Sequence, residues 1–93
     1  MSEAVIANAI RKKLQDAFAP SELMVEDESA RHAGHAGARP EGETHFRVRI
    51  VSKKFEGLSR VERQRRVHDV LKDELSARVH ALTLTTLTPA EAG

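Results

Sequence analysis

The feature that most constrains the fold is a strict alternation of polar and apolar residues from His45 to Ile50. A period of two is typical of a β-strand with one face buried and one face exposed. The apolar members would point into a core: Phe46, Val48 and Ile50. The polar members would point away from it: His45, Arg47 and Arg49. We therefore expect a central strand here, with the rest of the chain arranged beside it.

Two elements are predicted before this strand. Apolar residues recur at close to the helical period from Val5 to Phe18, which indicates a first helix ending at Pro20. The apolar positions are Val5, Ile6, Ala9, Ile10, Leu14, Ala17 and Phe18. The segment Leu23 to Asp27 then predicts a short strand, with Leu23 and Val25 facing the core.

A long connection follows over residues 28–43. It contains sixteen residues, three of the chain's five glycines, and a doubled His-Ala-Gly. Connections in compact domains are usually about 4–6 residues, and much longer ones are often functional or mobile. We expect a flexible loop that carries His32 and His35.

The second half of the chain predicts a helix, a strand and a helical turn. Ser59 to Glu62 forms a capping box of the Ser-x-x-Glu kind, which opens a helix running to about Ala77. Its buried side is predicted to hold Val61, Val67, Val70, Leu71 and Leu75, with His68 flanking the core. Residues 79–86 alternate again and predict a third strand. Thr88 to Glu91 repeats the capping signal with a proline at the first helical position, which predicts a short C-terminal turn.

The resulting order is α-β-β-α-β, one α/β (α+β) domain over residues 1–93 with a three-stranded mixed sheet. The first two strands should be antiparallel, and the second and third, joined through a helix, should be parallel. The end of the first strand and the starts of the other two then lie at one edge of the sheet. Four of the five histidines would meet there: His32, His35, His45 and His80.

Composition excludes several classes of protein. There is no cysteine, which removes disulfides, thiol nucleophiles and thiolate ligands, and fits a reducing compartment such as the cytoplasm. No apolar run is long enough to span a bilayer, so no membrane role is expected. No nucleophile with a recognisable base and no phosphate-binding glycine loop are present, so we expect an adaptor or regulator rather than an enzyme.

Positive charge is concentrated in residues 47–66, where eight basic side chains face two acidic ones, although the whole chain is only +1. Such a segment favours an anionic partner, and double-stranded DNA is the nucleic acid it fits best because aromatic platforms for single strands are missing. The alternative is an ordinary solvated surface. The candidate contacts are Lys53, Lys54, Arg60, Arg63, Arg65 and Arg66.

Five ordered motifs resemble those of the BolA-like proteins. They are Glu28-Ser29-x-x-His32, Glu43-Thr44-His45-Phe46, Val51-Ser52 with Phe55-Glu56-Gly57, Arg63-x-Arg65, and Val79-His80-Ala81-Leu82. The resemblance covers nearly the whole chain and implies a class II KH-like fold. It also implies a role beside monothiol glutaredoxins in handling 2Fe–2S clusters and in iron homeostasis, and, as in some members, DNA binding in transcription regulation. The chain departs from the family in its longer loop with two histidines, and in Gln64, where many members have histidine.

The resemblance also implies a role for His80 as a cluster ligand. From the strand pattern by itself, a hydrogen-bonded histidine at the rim of the core is the more common role. His32, which follows Glu28-Ser29, matches the family pattern for a second ligand, and His35 can substitute; His45 is the structural alternative.

The ligand count indicates how such a site would be completed. A 2Fe–2S cluster needs four ligands, and histidine can replace cysteine on one iron. Because this chain has no thiolate, a monothiol glutaredoxin forming a heterodimer with it, together with glutathione, would supply the rest. Zinc is a weaker alternative, because these histidines lack a carboxylate at fixed helical spacing. Without a partner, the chain is expected to be a monomer or a weak homodimer.

Overall fold

The computed structural model describes residues 5–28, 45–77, 79 and 81–93. Its elements, in order, are α1 (Val5–Phe18), β1 (Glu22–Asp27), β2 (His45–Val51), a 3₁₀ turn (Lys53–Phe55), α2 (Arg60–Val70), α3 (Lys72–Ala77), β3 (Ala81–Leu87) and α4 (Pro89–Ala92). Within these residues, every helix is too short or too polar to cross a lipid bilayer. The predicted fold class, with its mixed three-stranded sheet and C-terminal turn, is confirmed.

The strands lie in the order β1-β2-β3, with β2 in the middle. β1 is antiparallel to β2, and Val25 lies opposite Val48. β3 is parallel to β2, and Leu84 lies opposite Val48 on that side. Both predicted strand directions are therefore confirmed.

The core lies between the helices and one face of the sheet. The central strand contributes Phe46, Val48 and Ile50, each at most 2% exposed. The opposite face of β2 and β3 is open, since Arg47, Thr83 and Thr85 are exposed. The alternation in the sequence therefore separates a packed face from an open face.

Helix α1 is buried along a slightly different stripe from the predicted one. Its buried residues are Ala7, Ile10, Leu14 and Phe18. Val5, predicted to face the core, is 64% exposed. The ring of Phe18 packs at 5.1 Å from the ring of Phe55, which joins the end of α1 to the turn after β2.

The second helix differs from its prediction in three respects. It is interrupted at Leu71, which closes α2 with φ −100° and ψ 15°, so that α3 is a separate helix. Val61 is 61% exposed rather than buried. His68 is exposed rather than beside the core, because Val67 occupies the inward position and the next residue turns about 100° away from it.

Candidate functional site

The described ends of the long connection meet at one edge of the sheet. The Glu28 amide donates to the His45 carbonyl at 2.7 Å, although the sequence between them spans residues 29–44. His45 is in turn paired with Ala81, the first residue of β3. The predicted convergence of the three strand ends is therefore confirmed. The three histidines predicted as ligands, His32, His35 and His80, lie outside the described residues.

An ion pair fixes the start of the connection to the central strand. The Arg47 Nε atom lies 2.9 Å from Glu28 Oε2, and the Glu28 side chain is only 12% exposed. A pair with one partner this sheltered is screened less than a surface pair and holds its geometry better. Residue 28 is therefore held close to the open face of β2 before the chain enters residues 29–44.

His45 is the histidine that the structure does place at this edge. It is half-buried, and it takes the opposite face from the buried Phe46, so its side chain lies on the open side of the sheet. Within the described ranges, no group of three or more His, Cys, Asp or Glu side chains is arranged to hold a metal ion. Any complete ligand set at this edge would need donors from outside those ranges.

A second candidate surface lies on the solvent-facing side of α2. A groove of about 640 Å³ is lined by Arg60, Val61, Gln64, Arg65, His68, Asp69 and Lys72. Three of these side chains are cations and one is an anion, so the groove has positive charge. Lys72, the first residue of α3, was not among the predicted contacts, although in the single helix predicted from the sequence it lies seven residues, about two turns, after Arg65.

Arg63, in contrast, is buried rather than part of an exposed basic surface, and its role as a DNA contact stays a prediction. Its side chain is 7% exposed. Its guanidinium donates to the Leu58 carbonyl at 3.0 Å and to the Thr86 carbonyl at 3.1 Å. It also donates to both carboxylate oxygens of Glu91, at 2.7 and 3.3 Å. Sequence spacing does not reveal this, because Leu58, Thr86 and Glu91 are brought together only by the fold.

Glu91 is affected by the same contact. The Arg63 guanidinium and the Thr88 backbone amide hold the pKa of Glu91 at about 2, below its ordinary value of 4.5. The carboxylate therefore stays charged across the physiological range, and α4 is fixed against α2.

The remaining predicted cations lie in two places. Arg65 and Arg66 are exposed and face Glu62 at 4.0 and 3.8 Å, which leaves them free to reorient toward a ligand. Lys53 and Lys54 belong to a different groove, of about 460 Å³, near the end of α1. Lys53 and Lys54 therefore line a different groove from Arg60 and Arg65.

Comparison with known proteins shows the family. A family model described as "BolA-like protein" matches residues 14–91. The chloroplastic protein BOLA1 of Arabidopsis thaliana is 49% identical over 87 residues, which are 91% of this chain and 54% of that relative's length. The "DNA-binding transcriptional regulator BolA" of Vibrio cholerae is 42% identical over 87 residues, covering 94% of this chain and 78% of that protein.

The solved structure of BolA1 from Arabidopsis thaliana superimposes with a TM-score of 0.85 at 48% identity, covering 94% of this chain and 95% of that one. The chain thus spans about half the length of the full chloroplast relative, but nearly all of this solved structure. The match extends over both the sheet edge and α2. The chain therefore belongs to the BolA-like protein family.

Proposed function

We propose that this protein is an adaptor that pairs with a monothiol glutaredoxin to bind or transfer a 2Fe–2S cluster, and so acts in iron–sulfur protein maturation and iron homeostasis. His80 is one proposed ligand, and His32 or His35 is the second. One relative is named a BolA-like protein and another a DNA-binding transcriptional regulator, which agrees with a role that is not enzymatic. The proposed location is the cytoplasm.

The observation that supports this most directly is the strand register at one sheet edge. The hydrogen bond from Glu28 to His45 and the pairing of His45 with Ala81 bring together the flanks of two segments. The segment between Glu28 and His45 carries His32 and His35, and His80 directly precedes Ala81 in the sequence. A register slip would move these flanks apart and would turn the buried residues of β2 to the open face.

The donor chemistry agrees with a shared site. The chain has imidazoles but no cysteine. A 2Fe–2S cluster needs four ligands, so a glutaredoxin thiolate and glutathione would complete the set. When bound, the cluster would supply the iron–sulfur unit that is transferred, while the residues of this chain hold and orient it.

The test combines each variant anaerobically with a monothiol glutaredoxin, glutathione, iron and sulfide, and records the visible spectrum and the melting temperature. His80→Ala is expected to abolish the histidine-perturbed spectrum with little change in melting. His32→Ala and His35→Ala are made singly and together, with the larger effect expected for His32. His68→Ala is the matched control, because His68 is exposed on α2.

Melting separates a ligand from a structural residue. A buried, hydrogen-bonded histidine would leave its partner unsatisfied at a cost of about 1–3 kcal/mol. For a domain of this size, each kcal/mol lowers the melting temperature by roughly 4–8 °C. A His80→Ala variant that melts much earlier but still assembles an unchanged cluster would refute the assignment and would direct the search to His45.

A second candidate function, DNA binding in transcription regulation, is favoured by the positive groove on α2. Arg60, Arg65 and Lys72 line it, and the Vibrio cholerae relative is named as a DNA-binding regulator. Replacing Arg60 and Arg65 by alanine should weaken duplex binding and reduce the salt slope by about 2, since each phosphate contact contributes about 0.9. Lys12→Ala, which removes an exposed cation on α1, should leave the slope unchanged. If Lys12→Ala reduces the salt slope as much as the Arg60 and Arg65 changes do, the DNA contacts lie elsewhere. If the protein does not bind duplex DNA at low salt, the proposed DNA-binding function is wrong.

A further inference from the structure

Within the described residues the sheet ends at two edge strands, β1 and β3, and the hydrogen bonds identify which of their backbone groups face outward. The Ser52 amide donates to the Leu87 carbonyl, so the backbone groups of Leu87 face β2. Because successive residues of a strand alternate, those of Thr85 and Thr83 also face β2, while those of Leu82, Leu84 and Thr86 face outward. The contact from Arg63 to the Thr86 carbonyl agrees with this assignment.

The outer edge of β1 is protected. Its sequence, Glu22–Asp27, carries three carboxylates. The outward carbonyl of Val25 also accepts a hydrogen bond at 3.3 Å from the Arg11 guanidinium. Charges and a covering side chain are two of the devices by which proteins prevent a sheet edge from pairing.

The outer edge of β3 has neither protection over its first half. The strand Ala81–Leu87 contains only alanine, leucine and threonine, without charge or proline. Arg63 occupies the Thr86 carbonyl at 3.1 Å. Within the described part of the chain, no hydrogen bond reaches the outward N–H and C=O groups of Leu82 and Leu84.

We propose that this edge is the self-association surface of the protein, and that a second copy of the chain pairs with it through β3, antiparallel about a two-fold axis at Thr83. The two subunits would then share one continuous six-stranded sheet. This assignment is independent of the cluster and DNA functions, since it uses only residues of β3 that neither function involves.

The register follows from the available groups. In an antiparallel ladder, two directly opposed residues exchange both of their hydrogen bonds at alternate positions. An axis at Thr83 places Leu82 opposite Leu84 of the second copy, and Leu84 opposite Leu82, so four outward groups on each subunit are satisfied. Arg63 ends the ladder on the Thr86 side. Thr83 then lies midway between Leu82 and Leu84, whose outward groups have no hydrogen-bond partner among the described residues.

The occupant is a second copy because this edge complements itself. A two-fold interface brings the same patch from both subunits together, so any charge near the axis would meet its own copy. This strand has no charge, and its exposed residue at the axis is a threonine, a type that forms favourable cross-strand pairs. Leu82 and Leu84, both half-buried, would add apolar contact on the helical side. A contact between two short strands is small, so the dimer should be weak.

The test introduces a lysine at the proposed two-fold axis in one variant and two residues away from the axis in a second variant. Thr83→Lys places two like charges directly opposite each other and should raise the dimer dissociation constant by about tenfold or more. Thr85→Lys is the matched control: Thr85 is also exposed and also lies beside an arginine of β2, but it would oppose Ala81 of the second copy. Sedimentation at increasing protein concentration measures both. A mixture of Thr83→Lys and Thr83→Glu chains should restore the dimer as a heterodimer.

Amide hydrogen exchange gives a readout at the level of single residues. The N–H groups of Leu82 and Leu84 should become protected as protein concentration rises, whereas those of Thr83 and Thr85 should be protected throughout. A wild-type chain that remains monomeric up to millimolar concentration would overturn the proposal and would leave the edge to a strand of another protein. Equal effects of Thr83→Lys and Thr85→Lys, or a mixture that stays monomeric, would also overturn it.

Discussion

Replacing Arg63 by alanine should be among the most destabilising single changes outside the apolar core. The guanidinium donates to the carbonyls of Leu58 and Thr86 and to the Glu91 carboxylate. Thr86 is 2% exposed, so water cannot readily replace the lost donor there. An unsatisfied buried carbonyl costs about 1–3 kcal/mol. The Glu91 side chain is 37% exposed and would be resolvated, so its share is discounted.

The lost packing of the arginine stem adds to that cost. Together these contributions give a loss of about 2–4 kcal/mol in the free energy of unfolding. At roughly 4–8 °C per kcal/mol, the melting temperature should fall by roughly 10–30 °C. Thermal unfolding followed by circular dichroism measures this. Arg66→Ala is the control, since Arg66 is exposed on the same helix and surface pairs contribute about 0–1 kcal/mol. If both variants melt within a degree or two of the wild type, the reasoning is wrong.

The same contact predicts a dependence on pH with a defined sign. The pKa of Glu91 is about 2 in the folded protein and has an ordinary value of 4.5, so the carboxylate stabilises the folded state above pH 4.5. That contribution should be lost as the pH falls from 4.5 toward 2. In Glu91→Gln, which keeps an oxygen acceptor but cannot titrate, the melting temperature should be lower at neutral pH and should fall less steeply over this range. Parallel acid profiles for the two proteins would contradict the assignment.

Two further changes test the turn that follows β2. Ser52→Ala should cost about 1–3 kcal/mol, because the buried Ser52 hydroxyl donates to the Phe18 carbonyl at 2.6 Å and accepts from the Lys54 amide at 3.1 Å. Urea unfolding should show this loss but no comparable one for Ser76→Ala, whose hydroxyl is exposed. Gly57→Ala should cost about 1–2 kcal/mol in the same assay, because Gly57 has φ +81°, a conformation that strains a residue with a side chain. Steric clash should add nothing, since the new methyl group would meet no atom within 4 Å. A loss well above that range would indicate a steric clash rather than backbone strain.

Much of the sheet could be predicted from the sequence because its signal is local. Phe46, Val48 and Ile50 alternate with polar residues, and their burial in the structure follows the alternation. The parallel direction of β3 follows from the helical connection between β2 and β3, since parallel neighbours need a crossover of this kind. The short capping box at the C-terminus was equally local, and both of its hydrogen bonds are present, between Thr88 and Glu91.

The errors arose where tertiary contacts override the local pattern. Val61 fits the apolar stripe of an ideal helix, but the buried positions of α2 are taken by Arg63 and Val67. Hydrophobic periodicity does not predict an arginine on the buried side of a helix, since arginine is rarely buried unless it is paired. Arg63 is paired with Glu91, which lies far away in the sequence. The same contacts explain why Arg63 is buried although the sequence places it among the basic residues of 47–66. The ligand assignments for His32, His35 and His80 stay predictions, since these residues lie outside the described ranges.

Arg63 also connects the two surfaces proposed for this protein. Because the Arg63 side chain is buried, it does not line the α2 groove, and duplex binding there would depend on Arg60, Arg65 and Lys72. Arg63 also closes the outer edge of β3 at Thr86 and leaves the start of that strand available. The available part begins immediately after residue 80, at the edge where the cluster ligands are proposed. A glutaredoxin docked at that edge would compete with a second copy for the start of β3, so dimer dissociation on adding the partner is the expected consequence of both proposals.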